Sequence, residues 1–121
     1  GHSIGIPLAT SADYCFIAPS AAMTLHPIRT NGLVIGAEQT YEYFRRMQDR
    51  ITDFIVRTSH AERSALIEMM GAKTDMANDV GTILYGEEAV KAGLIDSVGG
   101  LSDALEKLRE LTEAAAVGEP F

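Results

Sequence analysis

Between Ala37 and Arg57 the apolar residues Tyr41, Phe44, Met47, Ile51 and Phe54 or Ile55 recur every three to four positions, while charged residues fill the other faces. The periodicity predicts one long amphipathic helix over 37–57, and a helix with a single apolar stripe has to lay it on a second layer of structure. Short extended runs supply that layer: Tyr14 to Ala18, Ala22 to His26, Thr82 to Tyr85 and Leu94 to Val98, each bounded by turn-forming residues. Helical stretches fall between them. Ser3 to about Asp13 is apolar and small, with Pro7 in its first turn, where a missing N–H costs little. Ser59-x-x-Glu62 has the form of a capping box and predicts a helix from Ser59 to about Met70, ended by Gly71. Glu87 to Lys91 is a short helix closed by Gly93, and Ser102 is expected to cap a last helix with Leu101, Leu105, Leu108 and Leu111 on one stripe. Ile28 to Gly36, with the turn signal Asn31-Gly32, reads as an irregular or hairpin-like extension. Strands alternating with helices predict an α/β layered fold in a single domain over 1–121, with a frayed tail over 116–121.

Charge and cysteine content narrow the function. A formal net charge of -7 disfavours a nucleic-acid or anionic-membrane partner, since both are held by lysine and arginine. Cys15 is the sole cysteine, so no internal disulfide forms, and no cysteines and histidines stand at zinc-ligand spacing. No apolar run approaches the ~20 residues of a membrane-spanning helix. No phosphate-binding Gly-x-x-x-x-Gly-Lys-Ser/Thr stretch is present, so ATP is not expected to bind. The expectation is a cytoplasmic protein without metal or cofactor.

Ser3 precedes a helix of small residues, and His26 lies at the end of a strand before Pro27, which biases the histidine toward extended backbone. A serine hydroxyl is a weak nucleophile until a base takes its proton, and the base needs a further group to fix its tautomer. Ser3 as nucleophile, His26 as base and the Ile4 N–H as an oxyanion donor satisfy most of that requirement. The plainer readings are also open: Ser3 as a helix cap or part of a cloning remnant, and His26 as a strand-end histidine bonded to backbone. Asp75 and Asp79 fall in a polar loop, where most aspartates are simply solvated.

Gly1-His2-Ser3-Ile4-Gly5, the segment from Ala18 to Pro27, and Gly86 through Asp96 together resemble the ClpP family of serine peptidases, and within it the translocation-enhancing TepA-like branch. The resemblance runs from Gly1 to about Leu111. It implies the ClpP/crotonase-like layered fold, here its C-terminal part, with the strands before the nucleophile absent and the 37–57 helix as the handle between rings. It implies Ser3, His26 and an aspartate as catalytic residues, with the Ile4 N–H as half of the oxyanion hole. The spacing from Asp79 to Glu88 is about two residues longer than the family's and Gly81 occupies the ungapped position, but the loop could absorb a small insertion, so Asp79 is the choice for the aspartate and Asp75 the fallback. The implied activity is endopeptidic hydrolysis of unfolded polypeptides or peptides through an acyl-enzyme, in a homo-oligomer that forms a ring, heptameric or stacked. An ATP-dependent unfoldase as partner is left open. The family takes its second oxyanion donor from an upstream strand, so the 121 residues alone need not be active. The alternatives are a crotonase-like acyl-CoA enzyme, which shares the fold and needs no serine and histidine, and a non-catalytic ring subunit.

Overall fold

The computed structural model describes residues 4–28, 37–71 and 81–118, without the side chains of residues 37 and 38. The predicted 28–36 extension falls almost wholly outside these residues. In chain order the elements are α1 (Gly5–Thr10), β1 (Phe16–Ile17), β2 (Ala22–Leu25), α2 (Ala37–Thr58), α3 (Arg63–Gly71), β3 (Thr82–Tyr85), α4 (Gly86–Lys91), β4 (Ser97–Val98) and α5 (Leu101–Ala116). This is the α/β order expected, with a long helix at its centre.

Two small sheets carry the strands. β2 pairs antiparallel with β3, Ala22 opposite Tyr85 and Leu25 opposite Thr82, while β1 pairs parallel with β4. Met23 and Leu25 of β2 and Leu84 of β3 point inward, as period-2 alternation requires. They meet Ile6 of α1, Ile55 of α2, Leu66 and Met70 of α3, and Leu94 and Ile95 beyond α4 in one core. Full burial of an aliphatic side chain of this kind is worth about 1.5–3 kcal/mol, so this cluster outweighs any surface ion pair in holding the helices to the sheet. The hydroxyls of Thr10 and Thr58 meet at 2.9 Å and fasten the end of α1 to the end of α2.

A two-residue strand pair is weak by itself, and β1–β4 is reinforced by side chains. The Asp96 carboxylate accepts the Cys15 N–H at 2.8 Å while the Asp96 N–H returns to the Cys15 carbonyl at 3.1 Å, and the Tyr14 and Ser97 hydroxyls lie 2.5 Å apart. Burial pushes the Cys15 thiol above its ordinary pKa. Its alkylation by iodoacetamide is therefore expected to show a pH midpoint above that of a free cysteine, near 8.5. A midpoint at or below that value would contradict the described packing.

Local hydrogen bonds moved several boundaries. The first helix ends at Thr10, short of Asp13, where the Ser11 hydroxyl donates to the Leu8 carbonyl at 2.6 Å and the chain turns. Ser59 does not open α3: its hydroxyl donates back to Ile55 O at 2.6 Å and accepts the Ala61 N–H at 3.2 Å, so the helix starts only at Arg63. The extended run 94–98 shrinks to Ser97–Val98 because the N–H groups of Leu94 and Ile95 both turn back to the Ala89 carbonyl. Nor does Ser102 cap the last helix. Gly100 does, its N–H donating to the Asp103 carboxylate at 2.9 Å.

Gly93 takes the left-handed φ of +82° expected of a helix stop, and a Cβ there would stand 2.6 Å from the His60 carbonyl oxygen. Gly93→Ala adds backbone strain to this overlap and is expected to destabilise the fold by about 2 kcal/mol or more. A lowered urea midpoint at unchanged slope would report it.

Candidate active site

His26 directly follows β2, and Pro27 after it removes the option of continuing the strand's hydrogen bonding. Its Nδ1 lies 2.7 Å from the Pro27 carbonyl oxygen. A carbonyl only accepts, so Nδ1 donates, and in the neutral ring Nε2 is left as the acceptor. This is the tautomer through which a histidine takes a proton from a serine. A strand-end histidine bonded to backbone and a base are both compatible with this geometry.

His26 is half-buried and lines a cavity of about 30 Å³ with Ile6, Pro7, Thr24, Gln48, Ile51 and Met70 among others. α1 therefore brings its first turn to the histidine. Ile4 is the N-cap of α1, exposed, in helical conformation, and its carbonyl accepts the Leu8 N–H at 3.1 Å. Its own N–H belongs to the set at a helix start that has no intrahelical acceptor. A second cavity, about 240 Å³, lies between α2 and α3 and is lined by Pro27, Gln48, Asp49, Thr52, Ile67 and Met70 among others.

Gly81 closes the site from below. It enters β3 with φ +137°, and a Cβ at this position would lie 2.6 Å from the Leu25 carbonyl oxygen and 3.0 Å from the His26 Cβ. The main chain at 81 therefore lies directly against His26.

Of the predicted site residues, His26 and Ile4 are described; Ser3, Asp75 and Asp79 lie outside the described residues. The sequence reading passed over Gln48. Its Oε1 accepts the Ile28 N–H at 2.7 Å, and its Nε2 faces the Thr52 hydroxyl at 3.3 Å and the Met70 sulfur at 3.6 Å. The available signal was a polar pair, Gln48 and Thr52, at i,i+4 within the half-buried part of the long helix. Among the described residues no group of three or more histidine, cysteine, aspartate or glutamate side chains could hold a metal ion, and no helix is long and apolar enough to cross a membrane.

With this geometry in place, comparison with known proteins gives the class. The family model for Clp protease matches residues 1–101, and the chain belongs to the Clp protease family. It is also 49% identical over 113 residues to the translocation-enhancing protein TepA of Halalkalibacterium halodurans. That alignment covers 93% of this chain and 44% of the relative, so the chain spans less than half the length of the curated protein it matches. Membership of the Clp protease family is what these matches establish.

Gly81→Ala is expected to lower the thermal unfolding temperature of the full-length protein. Strain at a positive φ and overlap with the Leu25 carbonyl together cost about 2 kcal/mol or more. An unchanged temperature would mean that the chain at 81 does not lie against the histidine.

Proposed function

We propose that the full-length protein is a serine endopeptidase that cleaves unfolded polypeptides or peptides through an acyl-enzyme. The observation that carries this reading is His26, held with Nδ1 protonated and Nε2 as acceptor beside the first turn of the helix that Ser3 precedes by two residues. Family membership supplies the reaction class.

Ser3 Oγ attacks the scissile carbonyl while His26 Nε2 takes its proton. The Ile4 N–H donates to the oxyanion, together with a donor from outside these residues. The imidazolium then protonates the departing amine, leaving the acyl-enzyme, and a water activated by the same Nε2 completes hydrolysis. Asp79 is assigned to the imidazolium as the third member of the triad. Homo-oligomeric assembly in a ring goes with this reading. Tyr41 and Tyr43, 70% and 58% exposed on the first half of α2, offer the apolar contact surface that the handle role requires.

A fluorophosphonate probe is expected to label the full-length protein, with labelling abolished in Ser3→Ala and strongly reduced in His26→Ala. Turnover of a peptide substrate should fall on the order of a millionfold without Ser3, if the triad acts as a unit. Equal labelling of Ser3→Ala would overturn the assignment. Retention of acyl-CoA with indifference to Ser3→Ala would move the protein to the crotonase-like reading, and a ring without labelling to the non-catalytic one.

A further inference from the structure

We propose that Thr58 is a positioning residue for the nucleophile, acting through Thr10 at the far end of α1. The inference rests on the reading of Ser3 as nucleophile and of the Ile4 N–H as oxyanion donor. Both belong to the N-terminal end of α1, since Ile4 is its N-cap and Ser3 is the residue before it in sequence. Little holds that end directly. Ile4 is exposed and makes no side-chain cap, and among the described residues a Cβ at Gly5 would meet nothing within 4 Å. The helix is held instead by Ile6 and Thr10, its two buried residues, one turn apart on one face. Apolar burial of Ile6 is not directional, so by itself it leaves a six-residue helix free to slide or roll. Thr10 supplies the direction, because its hydroxyl meets that of Thr58 at 2.9 Å.

Thr58 is itself fixed. Its hydroxyl lies 2.8 Å from the Phe54 carbonyl one turn back in α2, and the neighbouring Ile55 is part of the core. Six residues of α-helix span about 9 Å, so α1 is a short rigid rod from Thr10 to its N-terminus. A shift at one end appears at the other, where ~1 Å of misplacement is enough to cost about a hundredfold in rate. The link acts on the serine side of the Ser3–His26 pair, and is therefore independent of which group takes the proton on His26 Nδ1. Either hydroxyl can be removed without orphaning the other. Without Thr58, Thr10 keeps the Pro7 carbonyl at 3.3 Å, and without Thr10, Thr58 keeps the Phe54 carbonyl at 2.8 Å. Valine retains the β-branched shape, so at either position it removes the link and leaves no buried polar group unpaired.

The test uses the full-length protein. Thr58→Val and Thr10→Val are each expected to lower kcat for a short peptide by about tenfold to a hundredfold at similar KM, with Thr58→Ser, which keeps the hydroxyl, restoring most of it. The double variant should be no slower than either single one, because both remove the same bond. Tyr14→Phe is the control for a merely structural loss: it removes another hydroxyl pair, with Ser97 on the β1–β4 joint, and should leave kcat unchanged. Amide exchange at Leu8, whose N–H donates to the Ile4 carbonyl in the first turn of α1, gives a readout independent of activity. It should quicken about threefold to tenfold in Thr58→Val, the loss expected for one hydrogen bond, and not in Tyr14→Phe. A folded Thr58→Val with unchanged kcat would overturn the proposal, as would a double variant whose losses multiply or a Tyr14→Phe that is slowed as much. Should Thr58→Val fail to fold, Thr10→Val decides by the same measurements. If the unmodified protein takes no fluorophosphonate label the peptidase reading falls, while exchange at Leu8 still decides whether Thr58 fixes α1.

Discussion

The contact of Gly81 with the end of β2 is the constraint on which the arrangement depends. Only a glycine can hold φ +137° there with its α-carbon against the Leu25 carbonyl, and this lets β3 begin directly opposite Leu25. Because strand side chains alternate, one residue of slip would turn Met23, Leu25 and Leu84 out of the core. It would also carry His26 away from α1 and α2. Position 81 therefore sets the register that buries the sheet and, by the same contact, the place of the histidine.

From that register the surroundings of His26 follow element by element. α1 is pinned to α2 by Thr10 and Thr58 and offers Ile6 and Pro7, α2 offers Gln48 and Ile51, and α3 offers Met70. His26 stands where four elements meet, and its Nδ1 bonds to backbone. A short polar link between rigid partners loses little entropy on forming.

Much of this was legible from residue pattern. The long helix was marked by its three-to-four spacing and ends one residue beyond the expected Arg57, and Thr82–Tyr85 and the Gly93 stop stand where read. Strand-end placement of His26 followed from Pro27. What pattern did not reveal was competition between local hydrogen bonds. Ser59 and Ser102 have the residue type of a cap, yet Ser59 bonds back to Ile55 and the Asp103 carboxylate takes the Gly100 N–H. Periodicity also cannot say what covers a stripe: Leu101, Leu105 and Leu108 align as read, but are 77%, 57% and 61% exposed. Gln48 accepts a backbone N–H twenty residues earlier in the chain, a relation invisible to local spacing. The pairing of Ser3 with His26 came from resemblance more than from local chemistry, since serine before a helix is common as a simple cap.

The central claim is that Ser3 and His26 act as nucleophile and base on one substrate carbonyl. A crystal structure of the full-length protein after reaction with a peptide phosphonate tests it most directly. The account predicts phosphorus bonded to Ser3 Oγ, His26 Nε2 within hydrogen-bond reach of the adduct, the Ile4 N–H directed at a phosphonyl oxygen, and Nδ1 engaged on its opposite side. An adduct on another residue, or His26 turned away from a Ser3 adduct, would contradict it.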